Sequence, residues 1–120
     1  MSRGPGRRLV DIREAIAAIR DYTRAAALTD GRTFDAVRMQ LLVIGEAVKN
    51  IPAALTATEP DVPWRQIIRF RDLVSHRYFD TLHSEIEYTV THDLNPLDEA
   101  VIRIQARLEA ENETGLGPGV

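Results

Sequence analysis

The chain contains no cysteine. A disulfide framework, a thiol nucleophile and a cysteine-ligated zinc site are therefore excluded. It has no apolar run approaching the roughly 20 residues of a membrane span. No apolar stretch of signal-peptide type follows Arg3-Gly4-Pro5-Gly6-Arg7-Arg8. A cytoplasmic protein without a membrane partner is the expectation. An excess of positive charge is also missing: 15 Lys and Arg face 18 Asp and Glu, a formal net charge of −3. A generic nucleic-acid coating protein would be strongly basic. There is no internal repeat, and no strand alternation competes with the helical periodicity.

What is present is an ordinary globular balance, 44% apolar and 28% charged over 120 residues, enough for one domain with a core. The ends, about 1–6 and 113–120, are expected to be flexible. From Arg7, Leu9, Ile12, Ile16 and Ile19 recur at three and four, which predicts an amphipathic helix to about Ala26, with Asp11, Glu14, Arg20 and Arg24 on its other face. Thr29-Asp30-Gly31 is a break. A second helix is expected from Thr33 as N-cap to about Ile51, where Pro52 argues for a stop or a new start. Leu41 to Ala47 is apolar nearly all round apart from Glu46. Gly45 at its centre costs about 1 kcal/mol against Ala, and the expected compensation is a close helix–helix approach. Glu46 has three open readings: a hydrogen-bonded structural group, a catalytic carboxylate, or a buried partner of an arginine.

A third helix is expected from Pro63 to about Ser75 or Arg77, and a fourth, capped by Asp80 or Thr81, from about Leu82 to Leu94. Asn95-Pro96 reads as the cap and first position of a fifth, reaching about Glu111. His83 is assigned a surface role. His92 is assigned a favourable interaction with a helix C-terminus. No third ligand accompanies His76 and His83, so neither a metal site nor a cofactor is expected. The periodicity predicts an all-α fold, an antiparallel four-helix bundle with an additional C-terminal helix.

The chemistry concentrates between Arg71 and Tyr78. Eight positions hold a guanidinium, a carboxylate, an imidazole and a phenol. Arginine offers a planar fork of donors to phosphate oxygens, and histidine exchanges a proton near neutral pH. At about 100° per residue, Asp72 and His76 share a helix face, while Arg71 and His76 diverge by roughly 140°. The latter pair converges on one phosphate only if the helix ends or bends near Ser75, or if two copies meet in a dimer. Arg65, Arg69, Arg71 and Arg77 fall within thirteen positions, with Asp72 the only carboxylate among them. This local basic site suits RNA contact or an acidic partner. A solvated helix face ending in a cation has the same pattern.

Arg71, Asp72-Leu73-Val74-Ser75, His76, Arg77, Tyr78 resembles the Arg-x4-His-x-Tyr motif of the HepT family of HEPN ribonucleases. The resemblance extends to Leu9-Val10-Asp11-Ile12, Ile19 to Thr23, the Ile44-Gly45-Glu46-Ala47 segment, Pro63-Trp64 and Tyr78-Phe79, from about Leu9 to Leu108. It implies a HEPN-like helical homodimer, the metal-independent endoribonuclease toxin of a toxin–antitoxin system. Its implied partners are an RNA substrate, tRNA or mRNA, and an MntA-type nucleotidyltransferase antitoxin that adds AMP to the motif tyrosine, here Tyr78. Arg71 and His76 would then be catalytic, Asp72 would orient His76 or Arg71, and Arg65, Arg69 and Arg77 would be candidates for RNA contact. The alternative is a non-catalytic module that binds a nucleotide or a nucleotidyltransferase with the same residues.

Overall fold

The computed structural model describes residues 4–75 and 79–114. His76, Arg77 and Tyr78 lie outside them. Six α-helices and one π-helical turn make up the described chain, and it contains no strand. α1 (Pro5–Ala25) opens with proline at its first position, where the missing N–H costs nothing. Its buried stripe is Leu9, Ile12, Ile16 and Ile19, with Ala15 beside it. It begins two residues earlier than the periodicity predicts.

α2 (Gly31–Lys49) is capped by Asp30 rather than Thr33. The Asp30 carboxylate accepts from both the backbone N–H and the hydroxyl of Thr33, each at 3.0 Å. Both residues are good caps, and the carboxylate reaches the open amide of the first turn, which leaves Thr33 inside the helix. Phe34, Val37, Leu41, Ile44, Ala47 and Val48 face the core, while Met39 and Val43 are exposed at 58% and 38%. After Pro52 comes a single turn, α3 (Ala53–Thr56), so Pro52 marks a new start as well as a stop. The Trp64 indole N–H ties it down by donating to the carbonyls of Thr56 and Glu59.

α4 (Trp64–Ser75) carries the first half of the motif. Val74 is fully buried, and Trp64, Ile67, Ile68, Phe70 and Leu73 pack partly against the core. α5 (Phe79–Tyr88) starts before Leu82, so Asp80 and Thr81 lie inside it rather than capping it. It passes through a π-helical turn (Thr89–Asp93) straight into α6 (Leu94–Thr114). Asn95-Pro96 therefore separates no fourth helix from a fifth. Proline is tolerated in the first turn of a helix, and the wide turn just upstream adjusts the ladder where Pro96 offers no N–H. Asn95 serves as an acceptor for Arg20 instead of a cap.

α1 packs on α2 and α6, and α2 packs on α4. One core joins them, with Val74, Ile86, Leu97, Val101 and Ile104 meeting the stripes of α1 and α2. Each fully buried aliphatic side chain there is worth about 1.5–3 kcal/mol. Polar ties fix the seams. Asp98, largely buried, accepts from Arg13 at 3.1 Å and Arg20 at 3.3 Å, so it anchors α6 to α1 rather than only favouring its own helix N-terminus. His83 is half-buried, not a surface group: its ring stacks on Phe34 with centroids 5.2 Å apart, and its Nε2 lies 3.2 Å from the Leu28 carbonyl oxygen. His92 lies in a continuous helical path, so no helix C-terminus is there to hold it. It stacks on Tyr88 at 4.2 Å, with Nδ1 close to the Thr91 hydroxyl and the Tyr88 carbonyl. No helix among the described residues is long and apolar enough to cross a membrane.

Candidate active site

The site begins with a glycine. A Cβ on Gly45 would lie 2.4 Å from the Cβ and 3.0 Å from the Cγ of Arg71. No side chain fits there, so Gly45 is what lets α4 cross α2 at this point, as its place in an apolar helix predicts. The contact sets Arg71 across the neighbouring Glu46. Arg71 Nη2 lies 3.1 Å from Glu46 Oε2, with the two side chains 35% and 48% exposed. Of the three readings of Glu46, partner of a motif arginine is the one seen, although the carboxylate is half-exposed rather than buried. Its other oxygen accepts from Asn50 at 3.4 Å.

Asp72 is exposed, and its carboxylate lies 3.4 Å from Arg71 Nη1. Of its two expected targets, Arg71 is the one it reaches among the described residues. Ser75 donates to the Asp72 carbonyl within the helix at 2.7 Å. The Val74 carbonyl, at the last described turn of α4, accepts from Arg38 Nε of α2 at 2.9 Å. Arg38 thus ties the end of α4 to α2 immediately before the motif histidine. Arg65 and Arg69 are exposed on α4, and neither lines the hollow that Arg71 faces. They stand six and two residues from Arg71, about 120° and 160° around the helix at 100° per residue. His76, Arg77 and Tyr78 lie outside the described residues, and so does any bend between Ser75 and His76.

Arg71, Glu46 and Ser75 line an open hollow of about 610 Å³ together with Arg8 and Asp11 of α1 and Leu42, Val43 and Ala47 of α2. The sequence reading placed Asp11 only on the polar face of α1 and gave Arg8 no role. The overlooked signal was local: two arginines, Arg7 and Arg8, stand at the start of a helix with no acidic residue in its first turn, where the dipole disfavours cations.

A second arginine–carboxylate cluster went unread altogether. Glu59, buried before α4, accepts from Arg103 Nε at 2.9 Å and Nη2 at 2.7 Å, and from Arg107 Nη1 at 2.7 Å. Those bonds, Arg103 first and Arg107 second, hold the Glu59 carboxyl down at about 2 against an ordinary 4.5. The same hydrogen bond raises the Arg103 guanidinium. Partners 44 and 48 residues apart leave no pattern in a sequence window.

The described residues are all helical, and Arg71 lies beside an open hollow where α4 crosses Gly45 of α2. Residues 12–104 match the family model described as Ribonuclease HepT-like, so the chain belongs to the HepT-like ribonuclease family. A Thermococcus cleftensis protein named "Probable ribonuclease HepT" is 40% identical over 93 residues, 74% of this chain and 84% of that protein. A Methanocaldococcus jannaschii protein with the provisional name of an RNase is 35% identical over 113 residues, 90% of this chain and 93% of its own length. No solved structure gives a significant match.

Proposed function

We propose that this chain is a metal-independent endoribonuclease, the cytoplasmic toxin of a toxin–antitoxin pair, acting as a homodimer of HEPN-like four-helix bundles. The observation that carries the reading is Arg71 itself. It is fixed over Gly45, oriented by Glu46 and open to a hollow, five residues before His76 in a chain of the HepT-like family. RNA supplies its own nucleophile. A base takes the proton of the 2′-hydroxyl, the oxygen attacks phosphorus, and an acid returns a proton to the departing 5′-oxygen. The products are a 2′,3′-cyclic phosphate and a 5′-hydroxyl.

One His76 supplies only one acid–base group, so two copies facing each other provide both. The exposed Met39 and Val43 on α2, the latter lining the hollow, support such self-association. Arg71 stabilises the charge that develops on the phosphorane, and Asp72 helps to orient it. Arg65, Arg69 and Arg77 are candidates to contact the flanking RNA, tRNA or mRNA.

Silencing follows from the same site. An MntA-type nucleotidyltransferase would transfer AMP to the Tyr78 hydroxyl, forming a Tyr–O–P bond as pyrophosphate leaves a nucleoside triphosphate. The modification places bulk and negative charge where an RNA phosphate must enter. The test is intact-protein mass spectrometry of the chain made with and without such a partner, followed by RNase assays on the unmodified form. An AMP increment that is absent in Tyr78→Phe, with RNA cleavage absent in His76→Ala, is expected. If His76→Ala cleaves as the wild type does, the mechanism is wrong.

A further inference from the structure

Arg8 stands against two physical preferences. It lies near the start of α1, whose first turn has no acidic residue and whose N-cap, Gly4, supplies no side-chain acceptor. That end of the helix is already electropositive, and a cation there is disfavoured. Arg7 is accounted for by Asp11 at 3.1 Å and Glu14 at 3.4 Å. Arg8 is not. Its Nε is buried without a hydrogen-bond partner, the one side-chain atom in that condition among the described residues. A desolvated donor on a cation is costly unless something answers it.

The surroundings of Arg8 indicate what answers it. Its side chain lines the same hollow as Arg71. The carboxylates of that hollow are already engaged, Glu46 by Arg71 and Asn50, and Asp11 by Arg7. Among the described residues no acceptor meets Arg8 Nε, and an anion from outside the chain would complete it. The hollow is open, about 610 Å³, so a phosphate that belongs to a longer strand can reach it. Its two cations come from different helices, Arg8 from α1 and Arg71 from α4.

We infer that Arg8 is a phosphate-binding residue of the RNA site, holding a phosphodiester adjacent to the one that Arg71 faces. This rests on the ribonuclease reading and adds a substrate contact to it. Arg8 grips the strand and takes no part in proton transfer, so its loss acts on binding and leaves turnover of bound RNA near the wild-type value.

The test uses the full chain made without a nucleotidyltransferase, and a short 2′-O-methyl oligouridylate, which lacks the attacking hydroxyl and cannot be cleaved. Arg8→Gln should raise the Kd about tenfold, the scale of one charge-assisted hydrogen bond. It should also flatten the dependence of log Kd on log salt by about 0.7, one phosphate contact on a single strand. Arg8→Lys should recover most of the affinity. Because Arg8 Nε makes no hydrogen bond among the described residues, Arg8→Gln should not lower the Tm. If Arg8→Gln binds as the wild type does while Arg71→Gln binds weakly, the inference falls and the ribonuclease reading stands. If the wild type neither binds the oligonucleotide nor cleaves RNA, the ribonuclease reading falls and takes Arg8 with it. If Arg8→Gln lowers the Tm and Arg8→Lys restores Tm and affinity together, Arg8 is a structural residue and the inference is overturned.

Discussion

Two of the molecule's arginine–carboxylate clusters are built in opposite ways. At Glu59 one carboxylate, 9% exposed, takes three short hydrogen bonds from two arginines of α6. Both carboxylate oxygens are engaged, and the cluster joins the segment before α4 to α6. At Arg71 the arrangement is inverted. One arginine faces two carboxylates, Glu46 and Asp72, at 3.1 and 3.4 Å, and all three side chains keep a third or more of their surface open. Nothing is saturated, and a hollow lies beside it. The same residue types make a staple where the carboxylate is buried and bound by two arginines, and a loose, half-exposed pairing at Arg71. The difference lies in solvent access: an exposed pair contributes only about 0–1 kcal/mol to stability, so it can exchange partners at little cost.

The comparison breaks most sharply at Arg71. Arg71→Ala should lower RNA cleavage by about 100- to 1000-fold, the usual cost of losing a donor to a developing anion. Its urea midpoint should hardly move, and rate and stability measured on one preparation check both halves. Gly45→Ala comes next because it touches both fold and site. A methyl group 2.4 Å from Arg71 Cβ must push α4 from α2. Urea denaturation should show a loss of about 1–3 kcal/mol. Cleavage should fall with it, since a shift of about 1 Å at a reacting group can cost about 100-fold.

Glu59→Gln should leave cleavage near the wild-type level and lower the Tm at neutral pH. Its pH dependence sharpens the contrast. The folded-state carboxyl sits at about 2 against 4.5 for the ordinary group. A depressed pKa means that the folded state favours the ionised form. The stabilisation is therefore complete above about 4.5 and is lost as pH falls towards about 2. Thermal melts across that window should show the wild type losing stability more steeply than Glu59→Gln. Parallel curves would remove Glu59 from the account of acid sensitivity.

Where the information was local, the sequence was readable. The stripe of Leu9, Ile12, Ile16 and Ile19 repeats within one helix, and so specifies its buried face. Gly45 inside an apolar helix signalled a close crossing, and Arg71 proved to be what crosses there. The sequence reading makes Asp30 part of the break and Thr33 the cap, although Asp is the stronger N-cap by type, and it is the Asp30 carboxylate that meets the open amide of Thr33. Asn95-Pro96 looked like a helix start in any window. It lies within a continuous helical path because the π turn upstream and Arg20 of α1 absorb what proline and asparagine would otherwise interrupt. His83 and His92 carried no pattern at all, and a stacked Phe34 and Tyr88 decided their surroundings.

The sequence by itself determined that the described chain is all helical and which residues face its core, and it gathered an arginine, a carboxylate, an imidazole and a phenol between Arg71 and Tyr78. These follow from 3.6-residue periodicity and from side-chain types, both local properties. Only the tertiary structure decided that Arg71 faces Glu46, that Arg8 joins them across α1, and that Glu59 gathers Arg103 and Arg107. Each of those pairings lies 25 or more positions apart along the chain. Contacts at such separations depend on how helices cross, and the crossing is chosen by packing of the whole core rather than by any single segment.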